Sequence, residues 1–288
     1  MGMQALTHIF HGRDPRYYQI AVLSCLVCFG IVVLDFGIHW YNALAILSVA
    51  QLVQLIGSRV LAISFDPLSP LITSLSLTLL LRSDSMAWAA CAAAIAIGSK
   101  FLVRFNGKHV FNPANVAIVT LILLTDAAWI STGQWGNAAL GAFFLACLGF
   151  LVLTRARRAE TTIAFVGMFA GLLVARTLWL GDPLSIAAHH LQNGALLIFA
   201  FFMISDPKTS PNTAAGRVVF GCVVASVAFA IQFLWYQPNG PILALIMSAP
   251  LVPVLDYLGN GEAYRWDRRI ITKERLPIER MSKVKGAY

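Results

Sequence analysis

The chain carries little charge for its length. Of its 288 residues, 12% are Asp, Glu, Lys or Arg and 58% are apolar, whereas a soluble domain has roughly 25% charged residues. So few charges cannot cover the surface of a water-soluble globule of this size. The composition therefore excludes a soluble enzyme, a disordered chain and a nucleic-acid-binding protein, and it predicts that most of the chain lies in a lipid bilayer.

Residue sets typical of redox metals are also absent from the sequence. The five cysteines all lie in apolar runs, and the pair Cys25 and Cys28 has no second Cys-x-x-Cys to complete a metal site. Such cysteines usually behave as small buried apolar side chains. Nothing in the sequence is typical of a nicotinamide site or an iron–sulfur ligand set. We therefore assign no metal ligand and no catalytic residue, and we expect no complete enzyme in this chain alone.

Long apolar runs fill most of the sequence. A membrane-spanning helix needs about 20 apolar residues, so the runs predict an all-α integral membrane protein with about ten transmembrane helices. Nothing before the first run resembles a cleavable signal peptide. Eight runs have nearly full length and two are shorter, and in chain order they lie near 18–37, 43–62, 69–82, 86–103, 113–126, 134–154, 161–180, 184–204, 216–236 and 241–258.

The basic residues divide unequally between the two sides of such a membrane domain. If the N-terminus is cytoplasmic, all but two of the 21 Lys and Arg residues fall on the cytoplasmic side, and the exceptions are Arg82 and Arg176. This is the partition that the positive-inside rule describes. We expect a multi-pass protein of the bacterial inner (plasma) membrane with both termini in the cytoplasm. Its parts are a cytoplasmic segment (1–17), a membrane domain (18–258) and a basic tail (259–288).

A short repeat divides the membrane domain into two blocks. Asp66-Pro67-Leu68-Ser69 precedes the third run, and Asp182-Pro183-Leu184-Ser185 precedes the eighth. The two segments take equivalent places in blocks of five runs, about 18–130 and 134–258. Since five is odd, the second block crosses the membrane in the opposite sense, which is typical of an inverted repeat. We expect helices 3 and 8 to be short or broken, although Pro also fits the first turn of an ordinary helix.

Polar side chains follow both copies of the repeated segment. Hydroxyl, imidazole and amide groups that face lipid are costly. We therefore expect the two segments to face each other across a central cavity, with Ser69 and Ser185 as helix caps or cavity-lining groups. Helix packing through small hydroxyls and histidines that bond to the backbone at the interface are the alternatives. Further lining residues on these runs would be Thr73, Ser76, His189 and Asn193.

Two connecting segments are also polar. Asp206 lies in the Ser205–Pro211 stretch, where Asp-Pro and Ser-Pro favour a tight turn. The segment from Lys100 to Asn115 is basic and ends in a helix that opens with Pro113. Its charge reflects the positive-inside rule alone, or it clamps a phosphate or a partner subunit.

Three segments in this order resemble the NqrB/RnfD family, and they are Phe111–Asn115, Asp182–Ala188 and Met203–Pro211. Members are membrane subunits of sodium-pumping NADH:quinone oxidoreductase and of the related Rnf electron-transport complex. The resemblance implies a ten-helix inverted repeat similar to that of ammonium and urea channels. It also implies other membrane subunits as partners, and a role in flavin-linked electron transfer, in coupled cation transport, or in both.

One departure from the family bears on the cofactor. Members carry FMN on the threonine of a Ser-Gly-Ala-Thr motif, which falls here on Ser185-Ile186-Ala187-Ala188. Ala188 has no hydroxyl to esterify. The resemblance therefore implies non-covalent FMN or riboflavin, or else a transporter or channel that has lost the redox role. The candidate flavin or cavity contacts are Ser185, His189, His190, Asn193, Asn112, Asp206 and Thr209.

The charge partition predicts the side on which engineered cysteines react. In a background without the five native cysteines, Ser282→Cys should react with an impermeant thiol reagent only from the cytoplasm. Ser131→Cys should react only from the opposite side, because it lies in a predicted outer connection. Labelling of intact cells and of inverted vesicles measures both positions. External labelling at position 282, or its absence at position 131, would contradict this topology.

Overall fold

The computed structural model describes residues 14–32, 37–130, 159–262 and 264. The predicted span near 134–154 and nearly all of the basic tail lie outside these residues. The described part is built of helices, as predicted. In chain order they are α1 Pro15–Val32, α2 Trp40–Val60, α3 Leu68–Leu80, α4 Met86–Leu102, α5 Pro113–Leu124, α6 Ala159–Leu180, α7 Leu184–Leu191, α8 Gly194–Ile198, α9 Ala214–Phe233, α10 Gly240–Ser248 and α11 Leu251–Leu258.

Four of these helices (α1, α2, α6 and α9) are long and apolar enough to cross a membrane. Two further spans result if each of two bent pairs counts as one, which gives up to six. The first pair is α7 with α8, where α8 continues as a π-helical segment, Phe199–Met203, and the second is α10 with α11. The chain is thus an all-helical, multi-pass membrane protein.

The short helix α3 is completed by a strand. Its 13 residues span about 20 Å at 1.5 Å per residue, less than the roughly 30 Å of a bilayer core. Strand β1 (Leu81–Ser83) follows directly and adds about 10 Å. It pairs antiparallel with β4 (Ala128–Ile130), which follows the other short helix, α5. The pairing satisfies backbone groups that lipid would leave without hydrogen bonds.

The two bent pairs have local causes. Between α7 and α8 the chain turns by 55°, and the Asn193 side chain begins α8 by accepting a hydrogen bond from Ala195 N at 2.9 Å. Helix 8 is therefore broken and helix 3 is short, as the sequence predicts. The 49° bend between α10 and α11 was not expected from the apolar run 241–258. It lies at Pro250, the residue before α11, whose ring blocks a helical hydrogen bond.

A hairpin joins the first half of the chain to the second. Strands β2 (Arg104–Phe105) and β3 (Lys108–His109) are connected by Asn106 and Gly107, both with positive φ, as a two-residue hairpin turn requires. Lys108 Nζ donates to Ser210 O at 2.6 Å and to Asn212 Oδ1 at 3.1 Å, and it pairs with Asp256 Oδ2 at 2.8 Å. The hairpin is thereby fixed to the segment after α8 and to α11.

The core of the second half depends on close contact between α6 and α9. Phe165 of α6 packs against Phe199, with their ring centroids 5.1 Å apart. Gly221 of α9 lies so near α6 that a Cβ atom there would be 2.6 Å from the backbone oxygen of Thr161. Backbone cannot move aside as the end of a side chain can, so this approach requires glycine.

We expect Gly221→Ala to destabilise the protein by about 1–3 kcal/mol, because the added methyl group forces α6 and α9 apart. Gly167→Ala is the matched control, since Gly167 is on α6 and a Cβ there has nothing within 4 Å. That substitution should be neutral or slightly stabilising. Thermal unfolding of the detergent-purified variants measures both. Equal midpoints for the two variants would show that the close approach does not limit packing.

Candidate functional site

The largest described cavity, about 260 Å³, lies at one end of the helices and is called here the basic cavity. Its wall includes the starts of α1, α3 and α5, the end of α4, the hairpin and the Ser205–Pro211 turn. Its side chains are mostly polar, and four are cationic. The charged residues that line it are Arg16, Lys100, Arg104, Lys208, Asp66 and Asp206.

Lys100 is the most buried cation of this wall. It lies in the last turn of α4 with 5% of its surface exposed. Its Nζ donates a hydrogen bond to Ser69 Oγ at 2.9 Å. The carboxylates of Asp66 and Asp206 interact favourably with its charge. A buried ammonium group persists only with such partners, so Lys100 joins α4, α3 and the Ser205–Pro211 turn electrostatically.

Asp206 organises the turn in which it lies. Its carbonyl oxygen accepts from Thr209 N at 3.1 Å and from Ser210 N at 3.0 Å, and its carboxylate accepts from Lys208 N at 3.0 Å. Burial raises the pKa of Asp206, while the Lys208 N–H bond and the charges of Lys100 and Lys208 oppose that rise. The carboxylate is therefore held in a low-dielectric wall and supported by neighbouring cations.

Asn112 connects the start of α5 to the same region. Its Oδ1 caps α5 by accepting from Asn115 N at 3.2 Å, and its Nδ2 donates to Met203 O at 3.3 Å. Met203 ends the π-helical segment, directly before the turn that contains Asp206. Both polar groups of the Asn112 amide thus position backbone, although the residue borders the basic cavity.

Two acceptors in the cavity wall have no partner among the described residues. Gln54 Oε1, on a residue only 7% exposed, accepts no hydrogen bond, and neither does His109 Nδ1. Burial lowers the pKa of His109 to about 4, and the charges of Lys100, Arg104 and Lys208 contribute to that shift. His109 is therefore neutral at pH 7. The wall offers cationic donors beside neutral acceptors, an arrangement suited to a polar ligand.

A second cavity, of about 50 Å³, contains two of the predicted site residues, His190 and Asn193. The His190 ring packs edge-on against Phe233 at 5.5 Å between centroids, and Arg176 lies 4.7 Å from the centre of the Phe233 ring. Asn193 caps α8. Both residues therefore have structural contacts at a place distinct from the basic cavity.

The predicted site residues do not form one cluster. Asn112 and Asp206 border the basic cavity, and Thr209 is buried in the turn beside it, whereas Ser185 and His189 are exposed on α7. The prediction that the two Asp-Pro-Leu-Ser segments face each other across one cavity is wrong for the second segment. Because the chain bends after α7, only Ala187 of that short helix is buried.

The first segment contributes to the basic cavity, but not by capping. Asp66, Ser69, Thr73 and Ser76 line it, as expected for a polar face of helix 3. The expected cap at Ser69 is absent, since α3 begins after Pro67 and it is Asp66 Oδ1 that accepts from Leu68 N at 3.1 Å. The Ser69 hydroxyl instead accepts from Lys100.

The NQR2, RnfD, RnfE family matches residues 124–265 of this chain. Over that region the chain belongs to this family. An ion-translocating oxidoreductase complex subunit from Escherichia coli O1:K1, the one designated D, is 31% identical over 144 residues. The proteins of the same name from strain K12 and from O157:H7 are equally similar. The aligned stretch covers 49% of this chain and 38% of each relative.

The family region contains only part of the basic cavity. The turn with Asp206, Lys208 and Thr209 lies inside it, whereas Lys100 and Asn112 precede it. The resemblance to the NqrB/RnfD family is confirmed over this region. The flavin contacts expected from that resemblance remain predictions.

Four cavity residues were absent from the predicted site, namely Gln54, Lys100, Arg104 and His109. Lys100 and Arg104 were attributed to a basic cytoplasmic loop. A signal was present at Lys100 and Gln54, since both are polar side chains at the ends of apolar runs. Their convergence depends on how α2 and α4 pack, which no local pattern in the sequence specifies.

The pKa of His109 predicts a pH-dependent stability. The folded pKa of about 4 lies below the ordinary 6.5, so the unfolded chain binds more protons between these values. Stability should fall as pH drops from about 6.5 to about 4, by about 1–2 kcal/mol between pH 7 and pH 5 from this group. His109→Gln should remove that part of the loss.

Thermal unfolding at pH 7 and pH 5 compares the wild type with His109→Gln. The control is His39→Gln, since His39 lines a different cavity, away from the basic one. An identical pH dependence in wild type and His109→Gln would show that His109 protonates freely in the folded state.

Proposed function

We propose that the chain is a membrane subunit of an ion-translocating oxidoreductase complex, where it contributes to flavin-linked electron transfer, to coupled cation transport, or to both. The observation that carries this proposal is the family match over residues 124–265, which includes the turn at the basic cavity. The relatives are named as a subunit of such a complex. Other membrane subunits are accordingly its partners, in the bacterial inner membrane.

We extend the proposal to a ten-span inverted repeat over 18–258, with blocks of about 18–130 and 134–258. Two regularities of the described helices support it. Interruptions occur at the third and fifth positions of each block: α3 and α5 are short, and the pairs α7–α8 and α10–α11 are bent. Packing is also equivalent, because α2 with α4 matches α6 with α9, and α4 with α5 matches α9 with α10.

Covalent FMN does not fit the residues present. The position equivalent to the acceptor threonine is Ala188, which is exposed on α7 and has no hydroxyl. Ser185 is the nearest hydroxyl in this motif, one helical turn earlier, where the family has its serine. No step of the proposed function is therefore assigned to a covalently bound flavin.

The basic cavity fits a non-covalent flavin, FMN or riboflavin. The unpartnered acceptors Gln54 Oε1 and His109 Nδ1 would receive its N–H or hydroxyl groups, and Lys100 would donate. A bound flavin would supply reversible one- and two-electron transfer. The chain itself contributes a largely dry wall and positive charge, which favours an electron-rich ligand. The starts of α3 and α5 add their positive dipole ends.

The second candidate is a transporter or channel that kept this scaffold without redox chemistry. The observation that favours it is Ala188, since the loss of the acceptor removes the most specific redox feature of the family. The polar cavity of about 260 Å³ would then be part of a solute path. The two candidates differ in whether the purified protein contains flavin.

We expect the purified protein to show the visible absorbance of a flavin, and the flavin to leave on denaturation because nothing holds it covalently. The denatured band should then lack in-gel fluorescence, while the supernatant fluoresces. A protein without flavin absorbance would favour the transporter. A fluorescent denatured band would disprove the non-covalent assignment and point to Ser185 or another hydroxyl.

The family motif can be restored as a positive control. Ile186→Gly combined with Ala188→Thr recreates Ser-Gly-Ala-Thr on the exposed α7. Co-expression with a flavin transferase should then give a fluorescent denatured band. Ile186→Gly alone is the matched control and should remain dark, since it adds no hydroxyl.

A further inference from the structure

The basic cavity has more positive than negative charge. Four cationic side chains line it and only two carboxylates do. Asp66 is paired with Arg16, and the charge of Asp206 acts on Lys100 and Lys208. Each carboxylate is therefore already engaged by a cation, and the wall keeps an excess of about two positive charges beside apolar helices, where unbalanced charge is costly.

This excess is concentrated at the hairpin side of the cavity. Arg104 is exposed there, and within residues 14–32, 37–130 and 159–262 it makes no ion pair. Lys208 donates to the backbone oxygen of Tyr264 at 3.3 Å, a neutral acceptor. Burial lowers the pKa of Lys208, and the neighbouring charges of Arg16, Arg104 and Lys108 lower it further, against the effect of Asp206. The cations are thus close enough to repel one another.

Uncharged features of the wall also lack a partner. The amide of Gln54 is buried and borders the cavity with Oε1 unpaired. Rotation of the amide would present its N–H₂ group to an acceptor instead. The first turn of α5, at Pro113 and Ala114, borders the same space, and its N-terminal dipole favours an anion.

We propose that the hairpin side of the basic cavity binds a phosphate group, with Arg104 and Lys208 as its charged contacts and Gln54 deeper in the wall. A phosphate dianion matches the excess charge, and its oxygens accept from the planar fork of an arginine. The phosphate would belong to a soluble phosphate ester or to a lipid headgroup. This inference goes beyond the proposed function and does not depend on it, because riboflavin has no phosphate.

The test uses the full-length chain in nanodiscs made only of phosphatidylcholine, titrated with inorganic phosphate by calorimetry at constant ionic strength. We expect saturable binding that weakens about tenfold in Arg104→Ala, the loss typical of one charge-assisted hydrogen bond. Arg59→Ala is the matched control, because Arg59 is also an exposed arginine at a helix end but does not line the cavity. Its affinity should equal that of the wild type.

Arg104→Lys separates charge from geometry. It should bind with intermediate affinity, since the point charge remains while the fork is lost. Equal elution volumes and circular dichroism spectra establish that all variants are folded. Absence of saturable binding by the wild type would overturn the proposal, and so would equal losses in Arg104→Ala and Arg59→Ala.

A second arm identifies the source of the phosphate. If a lipid headgroup occupies the site, nanodiscs with phosphatidylglycerol should weaken the binding of inorganic phosphate in the wild type and leave Arg104→Ala unaffected. If a soluble ester is the ligand, the two lipid compositions should give the same affinity. Flavin content, measured on the same samples, reports separately on the proposed function: phosphate binding without flavin would leave this site standing and remove the redox role.

Discussion

Hydrogen bonding of the backbone inside a bilayer is the constraint on which this structure depends. Lipid offers no partner to a free N–H or carbonyl group, so every interrupted helix must find one within the protein. Helices α3 and α5 end before they could cross, and the strands after them pair with each other. At the other interruptions the chain uses a side-chain cap at Asn193 and a proline at Pro250.

These interruptions allow a charged cavity to exist among apolar helices. The short α3 begins beside the end of α4, which places Ser69 next to Lys100. The end of the π-helical segment meets the start of α5 through Asn112, and the turn that follows brings Asp206 into the same wall. Uninterrupted spans would instead carry their polar ends to the membrane surface, where water would solvate them separately.

The sequence was sufficient for those features that depend on composition and local pattern. Apolar runs predicted the helices, and the proline-containing segments predicted a short α3 and a break before α8. The bend at Pro250 was missed because the run 241–258 is apolar nearly throughout. Of the predicted site, Asn112 and Asp206 border the basic cavity and Thr209 lies beside it. His189 and Ser185 could not be placed from the sequence, since the direction of α7 depends on a 55° bend and on packing.

The connections made by Lys108 also determine when the cavity can form during biogenesis. Its partners Ser210, Asn212 and Asp256 lie 102, 104 and 148 residues further along the chain. The hairpin must therefore wait at the membrane surface, without its bonds, until α11 has left the ribosome. Contacts of such long sequence separation form late, after the local helices. The basic wall is consequently completed among the last parts of the fold, and until then its cations face water.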